Sequence, residues 1–591
     1  MGKAQRYNMA IVGNCSYLAY IDVKASVKWL CWPRFDDSFV FGSLLDEERG
    51  GQFDVTPQAP FTSQQAYLNN TNVVVTTFQV NDDTFEVTDF APRFGIHERY
   101  HKPTQFFRRI RPLKGTPRIR VSCRPRGHYG EVEAQALSGS NHISYTGLHT
   151  PLRLTTNLAK SYILTEKFFP LTEDVYLVMS CGEPFEAPLR DTFEEFLNRT
   201  TIYWRDWVKA TYIPSIFQKE LIRSALTLKI HQYEDTGAII AAGTTSLPEA
   251  PGSGRNWDYR YCWIRDAYFS LAALNSLGHF TEGQRYANYI LGLAEDYSEL
   301  RPVYKIDGSS DMTEREIDLA GHHGEKPVRV GNQAHQQVQN DVYGQVLLSL
   351  VPLYIDARLD TENSPPIRLI NDLLKAMELR LEDPDAGIWE LRGIRHIHLA
   401  TVLFHWAGAG AAIKIAQHKG EKEIGKRAQL LRQRAADLIE KCWRPHLGIY
   451  ASHVDGDDLD AAGFLLLTMG YLAPSDPKAK SHLHGLAKGL MSPSGFIYRY
   501  RAHDDFGETH SSFLICQFWY AESLAVIGET AEAEKELHKI LSTANHVGLM
   551  SEDVDATGQE QWGNFPQTYS HVGLINAACR LARRLDRAVF N

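Results

Sequence analysis

The sequence predicts a chain in two unlike parts: an antiparallel β-sandwich, then, across a helical linker, an all-helical domain. Three observations carry that expectation. As far as about residue 180 the chain is made of short β-branched segments punctuated by Gly, Pro, Asn and Asp. Over residues 191–209 large aromatics recur near helical spacing among charges. From about residue 215 apolar residues keep the helical period almost to the end, in segments parted by loops rich in Gly, Pro and Asp.

Segments 73–78, 118–121 and 175–178 typify the first part. Their β-branched residues suit a half-buried pleated surface, and many short strands at such spacing make a sandwich, placed at residues 1–190. In the linker, 191–214, Phe193, Phe196, Trp204 and Trp207 mark one helical face. The helical domain, 215–591, opens with Leu221, Ala225 and Leu228 at i, i+4 and i+7. Helices are expected at 266–277, 341–354, 367–381, 423–442, 513–527 and 530–541. At about 30 residues per helical hairpin this length holds about twelve helices, enough for an inner and an outer ring. The arithmetic fits a closed toroid and an open solenoid equally, and no short solenoid-type repeat occurs.

Of 591 residues 43% are hydrophobic and 23% charged, the balance of a globular protein. Lys and Arg number 62 against 71 Asp and Glu, a net charge of −9, which argues against general binding of nucleic acid or anionic membranes. The eight cysteines are scattered, without a Cys-x-x-Cys pair, and read as buried free thiols of a reducing compartment. The start of the chain lacks the apolar core of a signal peptide, and Arg6 stands where a myristoylation motif has Ser or Thr. The low-charge run 400–413 is short for a bilayer span and reads as a buried helix. These features together predict a cytoplasmic protein. Aromatics reach 11%, with 27 Tyr and 11 Trp, which serve sugar faces or core packing alike.

Three loops of the helical part concentrate polar and aromatic side chains, the usual home of function. The segment from Arg255 to Asp266 holds Trp257, Tyr259, Tyr261 and Trp263 among charges. Arg265 and Asp266 read either as a capped helix start with a structural ion pair or as a clamp on sugar hydroxyls. In Gly387-Ile388-Trp389-Glu390, a carboxyl against an indole face would be desolvated and held protonated, as a general acid must be; a surface Glu390 paired with Arg392 is the competing reading. Glu552, Asp553 and Asp555 lie close together and could supply a base, a cation site or a solvated turn, though the glycine and distal acid of a calcium loop are missing. His322-His323 and His396/His398 lack metal-ligand spacing and read as structural. There is no P-loop, dinucleotide fingerprint or nucleophile elbow.

Segments 12–14, 26–36, 244–249, 256–266 and 327–332, with Gly387-Ile388-Trp389-Glu390, Leu459-Asp460-Ala461 and Gly563-Asn564-Phe565-Pro566-Gln567, follow one another in an order and spacing that resemble glycoside hydrolase family 15 over nearly the whole chain. That family comprises glucoamylases, glucodextranases and family-15 trehalases. The resemblance implies an N-terminal β-sandwich, a helical linker and a C-terminal (α/α)6 barrel. It implies a metal-independent, cofactor-free, inverting exo-α-glucoside hydrolase of glucoamylase type, acting on small oligosaccharides and releasing β-D-glucose. It places Glu390 on the family's general acid and Glu552 on its general base. Arg265 and Asp266 fall on residues that hold the non-reducing-end glucose, Trp389 in the same pocket, Arg499 on a substrate-contacting arginine and Tyr569 on an aromatic of the sugar site. A trehalase on the same scaffold is the alternative, ahead of a phosphorylase, which would not need Glu552, and of an inactive sugar-binding protein. Departures from bacterial members fall at 399–402, at Gly410-Ala411, at Gln345 in place of Glu, at Asp553 after the base and at 508–512, and they bear on the leaving-group side.

Overall fold

The computed structural model describes residues 6–182, 184–185, 187–293, 299–359 and 364–585. The signal-peptide and myristoylation readings of the start fall, as far as Gln5, outside the described residues.

The N-terminal part is a β-sandwich. An eight-stranded antiparallel sheet faces a four-stranded sheet built in chain order and a three-stranded sheet. The expected segments are strands Val74–Val80, Arg118–Arg124 and Val175–Ser180. Val74–Val80 alternates buried and open positions along most of its length, as a strand with one face on a core must. The apolar faces meet in a core that includes Phe53, Phe78, Phe85, Phe106 and Ile119. A short helix α1 (Lys160–Leu164) lies near its end.

Helix α2 (Leu189–Lys209) joins the parts by burying a residue in the core of each. Phe193 packs with Phe90, Phe107 and Tyr176 of the sandwich, and Trp204 enters the core of the helical domain.

Among the described residues twelve α-helices follow. They are α3 (Gln218–His231), α4 (Ile264–Ser276), α5 (Phe280–Leu293), α6 (Val342–Ile355), α7 (Ile367–Arg380), α8 (Leu399–Lys419), α9 (Lys422–Lys441), α10 (Leu465–Thr468), α11 (Pro477–Leu490), α12 (Leu514–Ile527), α13 (Thr530–Leu541) and α14 (Thr568–Leu585). The even-numbered ones meet in sequence from α4 to α14, α8 reaching α10 through the 3-10 turn Ala461–Phe464 before it, and α14 returns to α4. The ring is therefore closed, an (α/α)6 barrel with the odd-numbered helices outside. Burial follows position: α12 is buried on every face, whereas α9 buries only the stripe Ala428, Leu431, Ala435, Leu438 and Ile439. The 400–413 run belongs to α8, which at 21 residues is long and apolar enough to cross a membrane by length and composition; here it is a core helix of the inner ring. Gly344 of α6 and Gly408 of α8 let these inner helices nearly touch, because a Cβ on Gly408 would stand 2.7 Å from the Gly344 Cα.

None of the eight cysteines is in a disulfide, and all but Cys181 are buried. Burial raises the Cys31, Cys123, Cys262 and Cys442 thiols to about 12, so they behave as small apolar groups.

Candidate active site

The inner helices begin at one end of the barrel, and the predicted site residues collect there. Arg265 and Asp266 are in the first turn of α4, and Tyr569 in the first turn of α14. Glu390 lies in the loop before α8, Arg499 in the loop before α12, and Glu552 between α13 and α14. One pocket is lined by Arg265, Asp266, Trp389, Glu390, Arg499 and Tyr569.

Glu390 is placed by its loop. Gly387 turns the chain at φ +66°, its N–H donating to Asp385 Oδ1 at 3.0 Å, and Glu390 itself takes a left-handed φ of +62°. A non-glycine residue held there is strained, and such strain gathers at functional sites. Gln337 fixes the loop from the far side by donating to the Glu390 carbonyl at 2.9 Å. The Glu390 side chain stays 23% exposed, facing the pocket. Its Oε1 accepts Trp263 Nε1–H at 2.6 Å and an Arg265 N–H at 3.5 Å.

This corrects the sequence-based account of Glu390. The indole that meets its carboxyl is Trp263, edge on through N–H; the Trp389 indole N–H turns away to Asp460 Oδ2 at 2.8 Å. Nor is Glu390 the partner of Arg392, which pairs with Glu314 at 3.0 Å.

Glu552 is wholly buried. Tyr259 O–H donates to its Oε1 at 2.7 Å and the Asn564 N–H to its Oε2 at 3.1 Å. Gly563, at φ +72°, leaves room for it, since a Cβ there would stand 2.6 Å from the Glu552 side chain. The Tyr259 and Trp263 rings meet edge to face at 5.3 Å, so Glu390 and Glu552 hang from opposite ends of one aromatic pair. Burial, with repulsion from Glu249 and Asp553, pushes the Glu552 carboxyl well above the usual carboxylate range. Asp553, buried beside it, is pushed up to about 8 by burial and then by Glu249. Asp555 is a turn residue, its Oδ1 accepting the Gln559 and Glu560 N–H groups at 2.8 Å each.

Arg265 lies 3.4 Å from Asp266, and both are largely buried at the pocket wall. Burial lifts Asp266 to about 6 against the opposing pull of Arg265. The Tyr569 hydroxyl is buried without a hydrogen-bond partner among the described residues, and Asp266 Oδ1 meets only the Arg265 Nε of that ion pair. Such groups next to a pocket are open to ligand hydroxyls. Arg499 is held by an ion pair with Glu249, whose other oxygen accepts Trp257 Nε1–H at 2.9 Å. Sequence reasoning passed over Glu249, Tyr259 and Trp263 as site residues. The signal for the last two was present in the aromatic density of the segment before α4.

At the rim, Arg255 forms an ion pair with Asp504. Asp505 Oδ2 accepts the Arg392 N–H at 2.6 Å, which straps this loop across the pocket and sets Phe506 5.2 Å from the Trp257 ring. Beneath the Glu390 loop, Thr401 O–H donates to Asp385 Oδ2 at 3.0 Å. One of the departures at 399–402 thus supports the residue that anchors Gly387. Among the described residues no group of His, Cys, Asp and Glu is arranged to hold a metal ion.

A model of the family described as glycosyl hydrolases family 15 matches residues 215–579, and one described as trehalase-like, N-terminal matches residues 3–177. The trehalase of Thermoplasma volcanium is 29% identical, the match covering 97% of this chain and 93% of that protein. The trehalase of Mycobacterium tuberculosis is 30% identical, covering 96% and 88%. Among solved structures, a bacterial glucoamylase complexed with acarbose matches with a TM-score of 0.70 at 14% identity, over 99% of this chain and 94% of that one. At that identity the likeness is one of fold.

Proposed function

We propose that this chain, which belongs to glycosyl hydrolase family 15, is an inverting trehalase. The observation that carries the specificity is that the match to trehalases runs through both parts of the chain, including a trehalase-like N-terminal model. The glucoamylase specificity put first from the sequence has the support of fold likeness alone, and the alternative is the better supported.

In this reading Glu390 protonates the oxygen between the two glucose units. Trp263 and Arg265 both meet Oε1, which leaves Oε2 to carry the proton. Glu552 takes a proton from the water that attacks the anomeric carbon from the opposite face, so the second carboxylate must stand back by about 6.5–9.5 Å to make room. Its separation from Glu390 by the Tyr259–Trp263 pair supports that arrangement. Arg265, Asp266 and Tyr569 hold the hydroxyls of the glucose that is attacked, and Trp389 and Arg499 shape the same pocket.

Trehalose, maltose, isomaltose, panose and maltotetraose, each assayed for released glucose, test the specificity. The expected result is a kcat/KM on trehalose at least about 10²-fold above that on maltose, the upper range of what one altered hydrophobic contact supplies. Faster hydrolysis of maltotetraose than of trehalose would restore the glucoamylase reading.

The crowding of Glu249, Glu552 and Asp553 makes a pH prediction. A base works only when ionised, and its neighbours' charges oppose ionisation. The acidic limb of the kcat/KM profile should therefore lie above the ordinary carboxylate range. Asp553→Asn removes one repelling charge, eases ionisation of Glu552 and should move that limb to lower pH. A limb that stays or rises in this variant excludes the coupling.

A further inference from the structure

A second cavity, of about 510 Å³, lies at the other end of the inner ring. Its wall is drawn from the late parts of the inner helices: Asn275 and Ser276 of α4, Pro352 of α6, Lys414 of α8 and Arg583 of α14. It shares no lining residue with the pocket around Glu390. An aromatic layer divides the two, with Phe269 in the cavity wall and its ring 5.2 Å from that of Tyr569.

The lining is unbalanced in charge. Lys414, Arg432, Arg580 and Arg583 face Glu522, the one acid in the wall among the described residues. Arg580 is already engaged, 3.1 Å from Glu522 and 3.0 Å from the Thr468 carbonyl. Lys414, Arg432 and Arg583 form no ion pair among the described residues. Cations in the last turn of a helix answer its negative end, which accounts for Arg583. It does not account for Lys414, five residues inside α8, or for Arg432, in the middle of α9. Arg432 lies over the Trp406 indole with its Cζ 4.3 Å from the ring centroid, and its Nε is buried with no acceptor. A buried donor left unpaired is costly unless something fills the place. The space exists because Ala272, Ala407, Gly410 and Ala411 are small, and two of these are the Gly410-Ala411 departure noted in the sequence.

We infer that this cavity binds a small organic phosphate, its phosphate among Lys414, Arg432 and Arg583 and its body against Trp406 and Tyr268. Guanidinium and ammonium groups around one space are the chemistry of phosphate recognition. The volume is that of a small-molecule site. A sugar phosphate and a nucleotide share this chemistry, and the test separates them.

Calorimetry on the full chain with inorganic phosphate, glucose 6-phosphate and AMP decides the matter, with 1-deoxynojirimycin present to fill the sugar pocket. One organic phosphate should bind at a single site with a Kd below ~1 mM, and inorganic phosphate more weakly. Arg432→Gln, and separately the exposed pair Lys414→Gln with Arg583→Gln, should each weaken binding by about tenfold or more with the melting temperature of the exposed pair unchanged. The inference is overturned if no probe gives heat, if the exposed pair binds like the wild type, or if inorganic phosphate binds as tightly as both organic ones. Loss of the signal on adding deoxynojirimycin would also overturn it, by moving the site to the sugar pocket. Binding is read directly, so the result stands whatever the hydrolysed sugar proves to be.

Discussion

Replacing Glu390 by Gln is expected to lower kcat/KM on trehalose by about 10²–10⁴-fold, with a far smaller loss on α-glucosyl fluoride. Glutamine keeps the size of the side chain and can still accept from Trp263 and Arg265, so the loop at φ +62° need not move. What is lost is an acidic proton on the atom that faces the pocket. A sugar leaving group must receive that proton as the bond breaks, whereas fluoride departs without it, so the two substrates separate proton donation from damage to binding. Trp263→Phe should fall between Glu390→Gln and the wild type, because it removes a donor to Oε1 and leaves the acid in place. Equal losses for Glu390→Gln on both substrates would take the acid role from Glu390. A wild-type melting temperature in the same variant guards against misfolding as the cause.

Much of the fold could be read from local pattern. The strands around Val74 and Val175, the linker aromatics and most long helices follow from side-chain periodicity, because each buries one definite face. Closure of the ring could not be read that way. It depends on α14 meeting α4, a contact between distant stretches that leaves no mark on either helix alone. The inner member α10 was equally hidden. It is only Leu465–Thr468, preceded by the 3-10 turn Ala461–Phe464, too short to show a period.

The site divides in the same way. Candidates with a strong local context were legible in the sequence: Arg265 and Asp266 at a helix start, Glu390 after a glycine that takes positive φ, Glu552 in an acidic loop. Their partners were not. Sequence adjacency named Trp389 as the indole beside Glu390, yet consecutive residues in a tight turn point different ways, and Trp389 reaches Asp460 instead. The true indole, Trp263, comes from another loop. Glu249 stands alone among Pro and Gly in sequence and becomes legible only when folding brings it to Arg499 and Trp257.

Three carboxyls now compete for the role of base, and they are not equivalent. Glu249 lines the pocket, but Arg499 and Trp257 occupy its two oxygens, which suits a residue that fixes positions. Asp553 lies beside Arg499 and Ser511, and its ladder partners are Phe513 and Trp562. Glu552 alone is tied through Tyr259 to the aromatic pair that carries Glu390 at its other end. Glu552→Gln should therefore cut kcat by about 10²-fold or more, and Glu249→Gln should act mainly through KM. Stereochemistry gives an independent reading. In α,α-trehalose the attacked glucose inverts to the β anomer, while the leaving glucose keeps its own α configuration. Proton NMR before mutarotation should show equal α- and β-glucose at first. Attack by a carboxylate followed by water would yield α-glucose alone, and that result would falsify inversion and the water-activating role together. A Glu552→Gln enzyme with near wild-type turnover, beside an inactive Glu249→Gln, would instead move the base to the carboxyl that faces the pocket.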